Sequence, residues 1–310
     1  RRMLIRWNAL VKGGGLHVSP KKDMVIFGKQ DWIYYTAEGV MDHYRHATQF
    51  DQMDLEKIQR KLENRYIWLA DQGIDYYVTI PPLKGTIYPE FLPDKFNVIN
   101  EKSKLDQLVE HMDQHSFVKI IDLRPALLQK KKDRQVYYKN DTHWNLIGAF
   151  TAYREIAKTI AQDNPAIEPF EWSYFNESDE WKDNADLTNI MGLNDVFLRH
   201  KIMLHPERPF NADEGEDRKF EIDQFFKYSP FFYENDSLEG PDLVMFRDSY
   251  AVYLKPFLSE HFRNSTYVWT PIFHPEVIEK EKPDVVIHEV LERFIDELAL
   301  DDPGEPRYEQ

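Results

Sequence analysis

The chain has 310 residues, of which 42% are hydrophobic and 14% aromatic, and this composition is typical of a folded protein with a substantial core. Its 39 basic and 54 acidic side chains give a net charge of −15, and because such a field repels phosphate backbones, nucleic acid is not an expected partner. Cysteine is absent, which excludes disulfides, thiolate metal sites and cysteine nucleophiles. No apolar run approaches the ~20 residues that a membrane span requires.

Turn residues and apolar stretches predict an α/β arrangement for the first half of the chain. Residues 24–28 and 32–35 are expected to pair as a β-hairpin. The spacing of apolar residues predicts a helix over 54–72, capped by Asp54 and ended by Gly73. A strand, a helix and another strand follow, at 74–80, 105–112 and 117–121. This alternation favours a parallel sheet.

The second half begins with an amphipathic helix, predicted from Trp144 to Ile160 directly after an Asp-Thr-His turn. Residues 163–240 are acidic, aromatic and rich in proline, so we expect an irregular excursion over the surface with one short helix at 186–191. Beyond it, apolar segments predict strands and helices in alternation, at 242–246, 250–262, 266–269, 277–282, 285–288 and 291–298.

These elements predict one large domain over residues 23–299, which includes the excursion at 163–240. Residues 1–22 contain three consecutive glycines and are expected to form an irregular lead-in. Residues 300–310 form an acidic tail with two prolines, which we expect to be flexible.

One residue separates Asp141 from His143, and Ser249 follows a predicted strand. A serine hydroxyl is a poor nucleophile until a base takes its proton, and an imidazole is suited to that task because its pKa lies near neutrality. A carboxylate fixes the imidazole tautomer and stabilises the imidazolium. Thr142 can cap the following helix, which would hold His143 at the helix start. The three side chains therefore suggest an activated serine for acyl transfer.

Two other interpretations fit the same residues. In the first, His143 is a core histidine with satisfied hydrogen bonds and Ser249 is a helix cap. In the second, Asp141 and His143 are metal ligands, with a third ligand from the remaining histidines, although none shows ligand spacing: His200, His205, His274 or His288.

Groups around Ser249 can stabilise a developing oxyanion. Its backbone N–H would lie near the first turn of the following helix, at the carboxyl edge of the sheet where ligands of open α/β sheets bind. Arg247 either adds a cation at that place or serves as a structural partner of Asp248.

Five segments of the chain resemble one family, the SGNH-hydrolase-like acetyltransferases of the alginate-modifying AlgJ and AlgX type, which include Gram-positive cell-wall polysaccharide acetyltransferases. The segments extend in the family's order over nearly the whole chain. They are the stretch 28–34, the Pro-Pro-Leu-Lys loop at 80–93, Tyr138 to Asn145 with Gly148, Asp186-Leu187 with Met191, and Phe246 to Tyr250 with 257–262 and Glu292-Arg293.

The resemblance implies a three-layer SGNH-hydrolase-like α/β domain with a mostly parallel central sheet. It also implies that Asp141, His143 and Ser249 form a catalytic triad. Their order is circularly permuted relative to ordinary SGNH esterases, in which the serine comes first. The chain departs from the family at Arg247, where many relatives have glycine, so the family's oxyanion donors are not carried over.

The implied reaction is acetyl transfer through a Ser249 acyl-enzyme to hydroxyls of an extracytoplasmic polysaccharide, with a membrane-bound O-acyltransferase as acetyl donor and no cofactor or metal. Such proteins are secreted or anchored by an amino-terminal segment, and the chain begins with arginine, as a trimmed chain would. The expected location is therefore the periplasm or cell surface.

Further residues are candidates for binding substrate or oxyanion: Arg247, Tyr250, Lys84 and Tyr88. Lys84 and Tyr88 either line the cleft or brace their loop. Aromatic residues of the excursion either stack on sugar rings or pack in the core: Trp172, Tyr174, Phe175 and Trp181. Two alternative functions use the same fold, an acetylesterase with the same triad and a non-catalytic glycan-binding scaffold.

Overall fold

The computed structural model describes residues 18–182, 185–215 and 230–300. Most of the predicted lead-in and the tail beyond residue 300 therefore lie outside the described residues. Within these ranges, no helix combines the length and the apolar character that crossing a bilayer requires.

Strands and helices alternate along most of the described chain. The strands are β1 (Val25–Phe27), β2 (Ile33–Tyr35), β3 (Asp75–Ile80), β4 (Ile120–Asp122), β5 (Phe175–Lys182), β6 (Arg199–Pro206), β7 (Asp213–Glu214), β8 (Phe231–Glu234), β9 (Leu243–Arg247), β10 (Asn264–Trp269) and β11 (Val285–Glu289). The α-helices are α1 (Val40–Tyr44), α2 (Gln52–Ala70), α3 (Lys84–Ile87), α4 (Lys104–His115), α5 (Arg124–Lys131), α6 (Leu146–Ile160), α7 (Asp186–Met191), α8 (Lys255–Ser259) and α9 (Pro275–Glu281).

Seven strands form the central sheet, in the spatial order β4-β3-β11-β9-β10-β8-β7. The first five run parallel to one another, and β8 and β7 are antiparallel additions at one edge. The predicted α/β fold with a mostly parallel sheet is confirmed. Because parallel strands end at the same edge, the loops after β3, β9 and β11 lie side by side.

Side chains of each strand alternate between two cores, one on each face of the sheet. On β9, Leu243 and Met245 belong to a core with α6 and α8, whereas Val244 and Phe246 belong to a core with α2, α4 and α9. This alternation follows from the two-residue period of a strand. The fold therefore has three layers, as predicted.

Two predicted helix starts are wrong by a few residues. Asp51, rather than Asp54, caps α2, and Asp54 accepts a reciprocal hydrogen bond from the Asp51 backbone in a capping box. Asn145 caps α6 by accepting from the Gly148 N–H, so the helix begins at Leu146 and not at Trp144. His143 consequently lies in the loop before the helix rather than in its first turn.

The region 163–240 has more structure than the sequence predicted. The short helix α7 is where it was expected, but β5 and β6 form a long antiparallel hairpin, and β8 joins the central sheet. The hairpin was missed because β5 is polar and mostly exposed, so it lacks the apolar alternation of a half-buried strand. Residues 183–184 and 216–229 lie outside the described residues.

Three other predicted elements differ in length or type. The expected helix over 250–262 is a 3₁₀ turn at Tyr250–Tyr253 followed by the short α8. The last predicted helix is a 3₁₀ segment, Glu292–Ala299. The strand predicted at 117–121 begins only at Ile120.

Gly148 allows α6 to pack closely against the chain that precedes it. A Cβ at this position would lie 2.1 Å from the Val136 carbonyl oxygen. Gly148→Ala should therefore lower the free energy of unfolding by about 1–3 kcal/mol, the usual cost of overpacking, measured by urea denaturation. Gly240→Ala is the control, because the nearest atom would be 3.7 Å away. A Gly148→Ala protein as stable as the parent would contradict this packing.

Candidate active site

A cavity of about 270 Å³ lies at the carboxyl edge of the central sheet. The loop after β3 contributes Lys84, the loop after β9 contributes Ser249, and the loop after β11 contributes Arg293. His143 comes from the loop before α6. Four segments distant in sequence therefore meet here because parallel strands end together.

Ser249, His143 and Asp141 form a continuous row of hydrogen bonds. The Ser249 Oγ lies 2.8 Å from His143 Nε2, and His143 Nδ1 lies 2.8 Å from Asp141 Oδ1. An ionised carboxylate only accepts, so Nδ1 carries the proton and a neutral ring leaves Nε2 free to accept from the serine hydroxyl. The structure brings the three predicted residues together in the order that a serine nucleophile requires.

The turn that carries Ser249 is fixed by buried carboxylates. Asp248 accepts hydrogen bonds from the backbone N–H groups of Tyr250 and Leu291, each at 2.8 Å. Glu289 accepts from the Asp248 N–H at 2.9 Å. These contacts join the end of β9 to the end of β11. In the part of the chain that the structure describes, the Ser249 N–H has no acceptor.

Arg199 holds the second oxygen of Asp141, an interaction that the sequence did not predict. Its Nη1 lies 2.8 Å from Asp141 Oδ2, and both side chains are largely buried. Arg199 is the first residue of β6, in the hairpin that sequence patterns missed. No local motif links Arg199 to a residue so distant in sequence, so only the folded hairpin reveals the pair.

Asp186 is a second carboxylate beside His143. It accepts from the Thr142 N–H at 2.8 Å and also from the Thr142 hydroxyl, and its Oδ2 lies 3.6 Å from His143 Nδ1. The expectation that Thr142 caps the following helix is therefore wrong. Asp186 was not predicted as a site residue. The sequence did contain a signal for it, because its segment resembles the corresponding segment of the family.

These contacts set the protonation of the site. Burial alone would raise the pKa of Asp141, but hydrogen bonds and charge from His143, together with Arg199, lower it well below its usual range. Burial alone would lower the pKa of His143, but the Asp141 hydrogen bond and the charges of Asp141 and Asp186 raise it above its usual value. Burial, and then the charge of Asp141, raise the pKa of Asp186.

Lys84 braces the loop that carries Asp141. Its buried Nζ donates to the carbonyl oxygens of Asp141 at 2.7 Å, Lys139 at 3.2 Å and Tyr138 at 3.3 Å, and also to that of Ile33. Burial lowers its pKa to about 7 against the charges of Asp186 and Asp141. Lys84 lines the cavity, but its ammonium group is bound to protein carbonyls.

Tyr88 does not line the cavity, and the suggestion that it binds substrate is wrong. The Tyr88 ring is buried 4.3 Å from the Trp32 ring, and its hydroxyl accepts from the Val136 N–H. The Tyr88 side chain therefore points into the core, where it supports its own loop.

Arg247 is likewise a structural residue, and its predicted contact with oxyanion or substrate is wrong. The guanidinium is buried 4.3 Å from the Trp269 ring and donates to the Asp248 carbonyl. Strand alternation places Arg247 on the same face as Met245, inside the protein. Tyr250 does line the cavity, and its hydroxyl donates to the Thr142 carbonyl at 2.7 Å.

The aromatic residues of the excursion divide between core and surface. Phe175 is buried, and Trp172 and Tyr174 pack against the same core. The Trp181 side chain is exposed and lies 4.9 Å from the His200 ring. Trp181 is thus the one of the four whose exposed ring can contact a glycan.

The metal alternative has a candidate cluster but a poor donor set. Ligand-type atoms of Asp141, His143 and Asp186 lie within 4.8 Å of one another. The Asp141 oxygens are already bound by His143 and Arg199, and the guanidinium would repel a divalent cation. A second, more open depression on the other side of His143 is lined by Asp141, Arg199 and Tyr253 among others. Neither it nor the cavity is lined by any of the proposed additional ligands: His200, His205, His274 and His288.

The chain matches a known protein family. The family described as "SGNH hydrolase-like domain, acetyltransferase AlgX" matches residues 25–220. A probable alginate O-acetylase AlgJ of Pseudomonas fluorescens is 34% identical over 147 residues, 46% of this chain and 34% of that protein. The same protein of Pseudomonas syringae pv. tomato is 27% identical over 173 residues, 56% and 42% of the two chains. The alignments span less than half of these curated relatives.

Solved structures confirm the SGNH-hydrolase-like fold. Bacillus cereus PatB1 with a sulfonyl adduct superposes with a TM-score of 0.64 at 16% identity, covering 90% of this chain and 98% of that one. The O-acetyltransferase domain of Pseudomonas putida AlgJ gives 0.55 at 16% identity, with coverages of 91% and 94%. Pseudomonas aeruginosa AlgX gives 0.55 at 17%, with coverages of 89% and 63%.

The ionisation of His143 can be measured directly. Asp141→Asn should lower the pKa of the His143 ring, because the substitution removes both the charge and the carboxylate hydrogen bond, and an NMR titration of the ring would show it. Asp186→Asn should lower the pKa by less, because Asp186 lies farther from the ring.

Asp179→Asn is the matched control, because Asp179 pairs with the exposed His200 on the hairpin. This variant should leave the His143 titration unchanged. An Asp141→Asn protein with an unchanged His143 pKa would contradict the electrostatic account.

Proposed function

The chain belongs to the family of the SGNH hydrolase-like acetyltransferase AlgX, and we propose that it transfers acetyl groups to a polysaccharide through an acyl-enzyme on Ser249. The observation that carries the proposal is the hydrogen-bonded row from Ser249 Oγ through His143 to Asp141. This geometry supports general-base activation of a serine.

In the first half-reaction, Ser249 Oγ attacks the carbonyl carbon of the donor's acetyl group. His143 Nε2 takes the hydroxyl proton as the new C–O bond forms. Asp141 stabilises the resulting imidazolium and keeps its ring in place. His143 then passes the proton to the leaving group of the donor as the bond to that group breaks, which leaves acetyl-Ser249 and a neutral imidazole.

In the second half-reaction, an acceptor hydroxyl attacks the acetyl-serine. His143 takes the acceptor's proton and returns it to Ser249 Oγ when the acyl bond breaks, so the enzyme is regenerated. In each half-reaction the tetrahedral intermediate carries a negatively charged oxygen, which needs a hydrogen-bond donor. The backbone N–H of Ser249 is available as that donor. One such donor contributes about 3–4 kcal/mol to the transition state.

Arg199 and Asp186 act as positioning residues in this scheme. Arg199 keeps Asp141 ionised and aligned from the side opposite His143. Asp186 fixes the peptide of Thr142, the residue between Asp141 and His143. Neither side chain needs to touch the reacting atoms.

The acceptor and the donor are part of the proposal. The curated relatives are named alginate O-acetylases, which supports an extracytoplasmic polysaccharide as acceptor. A membrane-bound O-acyltransferase would supply the acetyl group, and the protein would act in the periplasm or at the cell surface.

Ser249→Ala should lower acetyl release from p-nitrophenyl acetate by at least about 10³-fold, because the substitution removes the nucleophile of the proposed acyl-enzyme. Acetyl transfer to an oligosaccharide should fall with it. Mass spectrometry of the parent protein after treatment with a sulfonyl fluoride should show modification at Ser249 alone.

Ser237→Ala is the control, because the Ser237 hydroxyl donates to Asn235 in a surface turn. This variant should keep the parent rate. Undiminished turnover by Ser249→Ala would refute the acyl-enzyme, and acetate release without transfer to any oligosaccharide would favour an esterase.

The rate of acyl-enzyme formation should depend on pH through His143. Protonated His143 cannot accept the serine proton, so kcat/KM should fall as the pH drops through the pKa of His143. Asp141 and Asp186 raise this pKa, so the fall should begin at a higher pH than an unperturbed histidine would give. Pre-steady-state acylation rates measured across the pH range would test this. A midpoint at or below the ordinary histidine pKa would contradict it.

A further inference from the structure

A groove of about 510 Å³ lies between the hairpin of β5 and β6 and the loop that joins α5 to α6. The hairpin contributes Trp181 and His200, the segment before β6 contributes residues 196–198, and the loop contributes residues 138–140. None of the residues that line this groove lines the Ser249 cavity. The groove is therefore a second candidate binding site, and the acyl-transfer steps do not use it.

An exposed aromatic ring forms one wall of the groove. Trp181 is 67% exposed, and its ring lies 4.9 Å from that of His200, its cross-strand partner in the hairpin. The His200 Nε2 lies 2.9 Å from Asp179 Oδ1, which holds the imidazole in place. Val196 and Leu198 are also exposed and extend the apolar surface along the groove. An indole ring that is supported by one neighbour and otherwise exposed can stack on the apolar face of a ligand.

Two amide side chains supply hydrogen-bonding groups to the groove. The Asn140 Nδ2 donates to the Phe197 carbonyl at 2.9 Å, and the Gln135 Nε2 donates to the Tyr137 carbonyl at 2.7 Å. Within the described ranges, no group donates to Asn140 Oδ1 or Gln135 Oε1. Each amide therefore has an acceptor oxygen and a second N–H for a ligand, and a hydroxyl group can bond to either of them.

The charges of the groove do not select a charged ligand. Lys139 and Asp31 carry opposite charges, and the Lys139 ammonium donates to the Gln30 carbonyl at 3.2 Å. His200 is paired with Asp179. The other lining residues have apolar, aromatic or amide side chains, a composition that is typical of small-molecule sites. A neutral sugar ring, with an apolar face and hydroxyls at its edge, matches this lining.

The groove leads to the catalytic residues. The loop residues up to Asn140 line it, whereas His143 lines the open depression beside Ser249. On the hairpin, His200 lines the groove, and the preceding residue, Arg199, lines the depression. Because one residue spans at most about 3.6 Å of extended chain, the Cα atoms of Asn140 and His143 lie within about 11 Å of each other. A glycan of more than one sugar can therefore lie in the groove and reach Ser249.

We propose that this groove is a distal acceptor subsite, in which a neutral pyranose residue stacks on Trp181 and forms hydrogen bonds with Asn140 and Gln135. The acceptor chain then enters the depression beside Arg199 and presents a hydroxyl of another sugar to the acetyl group on Ser249. The subsite makes an oligosaccharide a better acceptor than a single sugar. It rests on the proposed function, because it assigns the sugar class and the path of the acceptor.

Binding measurements test the subsite without requiring turnover. The probes are 1,4-linked tetramers of glucose, mannose and N-acetylglucosamine and the corresponding single sugars, titrated calorimetrically into the parent protein. At least one tetramer should bind, and at least about tenfold more tightly than its single sugar. Trp181→Ala should weaken this binding about five- to tenfold, because it removes the stacking surface. Trp181→Phe should keep most of the affinity, because a smaller ring can still stack.

An NMR measurement locates the bound glycan without a substitution. Adding the tetramer to the parent protein should shift the indole N–H resonance that is missing from the spectrum of Trp181→Phe. Phe117→Ala is the matched control, because Phe117 is 55% exposed and precedes β4, at the opposite edge of the central sheet. It should change neither the affinity for the tetramer nor the release of acetate from p-nitrophenyl acetate.

Failure of all three tetramers to bind, or binding that survives Trp181→Ala undiminished, would overturn the subsite. Trp181-dependent binding without Ser249-dependent release of acetate from p-nitrophenyl acetate would refute the proposed function and leave the glycan site standing. Acetate release without Trp181-dependent binding would do the reverse.

Discussion

The buried ammonium of Lys84 joins the three segments on which the candidate site depends. Lys84 itself follows β3, Ile33 belongs to the β1–β2 hairpin, and the other bound carbonyls lie between Tyr138 and Asp141. Burying an ammonium group is costly unless its donors are satisfied, and carbonyl oxygens do that here. The main chain at Asp141 is therefore fixed to the edge of the sheet by a contact that does not involve its side chain.

Buried carboxylates do the same for the nucleophile. No long helix follows Ser249 to fix its position, because the next elements are a 3₁₀ turn and the short α8. Its position depends instead on Asp248 and Glu289, whose oxygens accept backbone N–H groups from neighbouring loops. Burial raises the pKa of both groups. The networks that hold Ser249 and His143 meet at the 2.8 Å contact between these two residues, and also at Tyr250, whose hydroxyl donates to the Thr142 carbonyl.

Local patterns were sufficient for the parallel sheet, because strand periodicity is local. For Asp141, His143 and Ser249, spacing left two other interpretations open, and the resemblance to the family favoured the triad. Arg199 could not be predicted, because its partner is distant in sequence and the exposed polar residues of β5 gave no strand pattern for the hairpin. Asp186 lay in a segment that resembled the family, but no local pattern indicated its contacts with Thr142 and His143. The wrong prediction for Arg247 could have been avoided. Two residues after the buried Met245, it had to lie on the same face of β9, pointing into the core.

The cations around Ser249 show how a chain of net charge −15 can hold positive charge at one place. Lys84 is matched by carbonyls, Arg199 by Asp141, and Arg247 by aromatic rings. Each is held by groups of the protein itself, although Arg199 Nε and two nitrogens of Arg247, Nε and Nη2, have no acceptor among the described residues. Arg293 differs in its partner, because the side chain of Glu38 is 59% exposed. The positive charge at this edge of the sheet is therefore compensated mainly by groups of the protein itself.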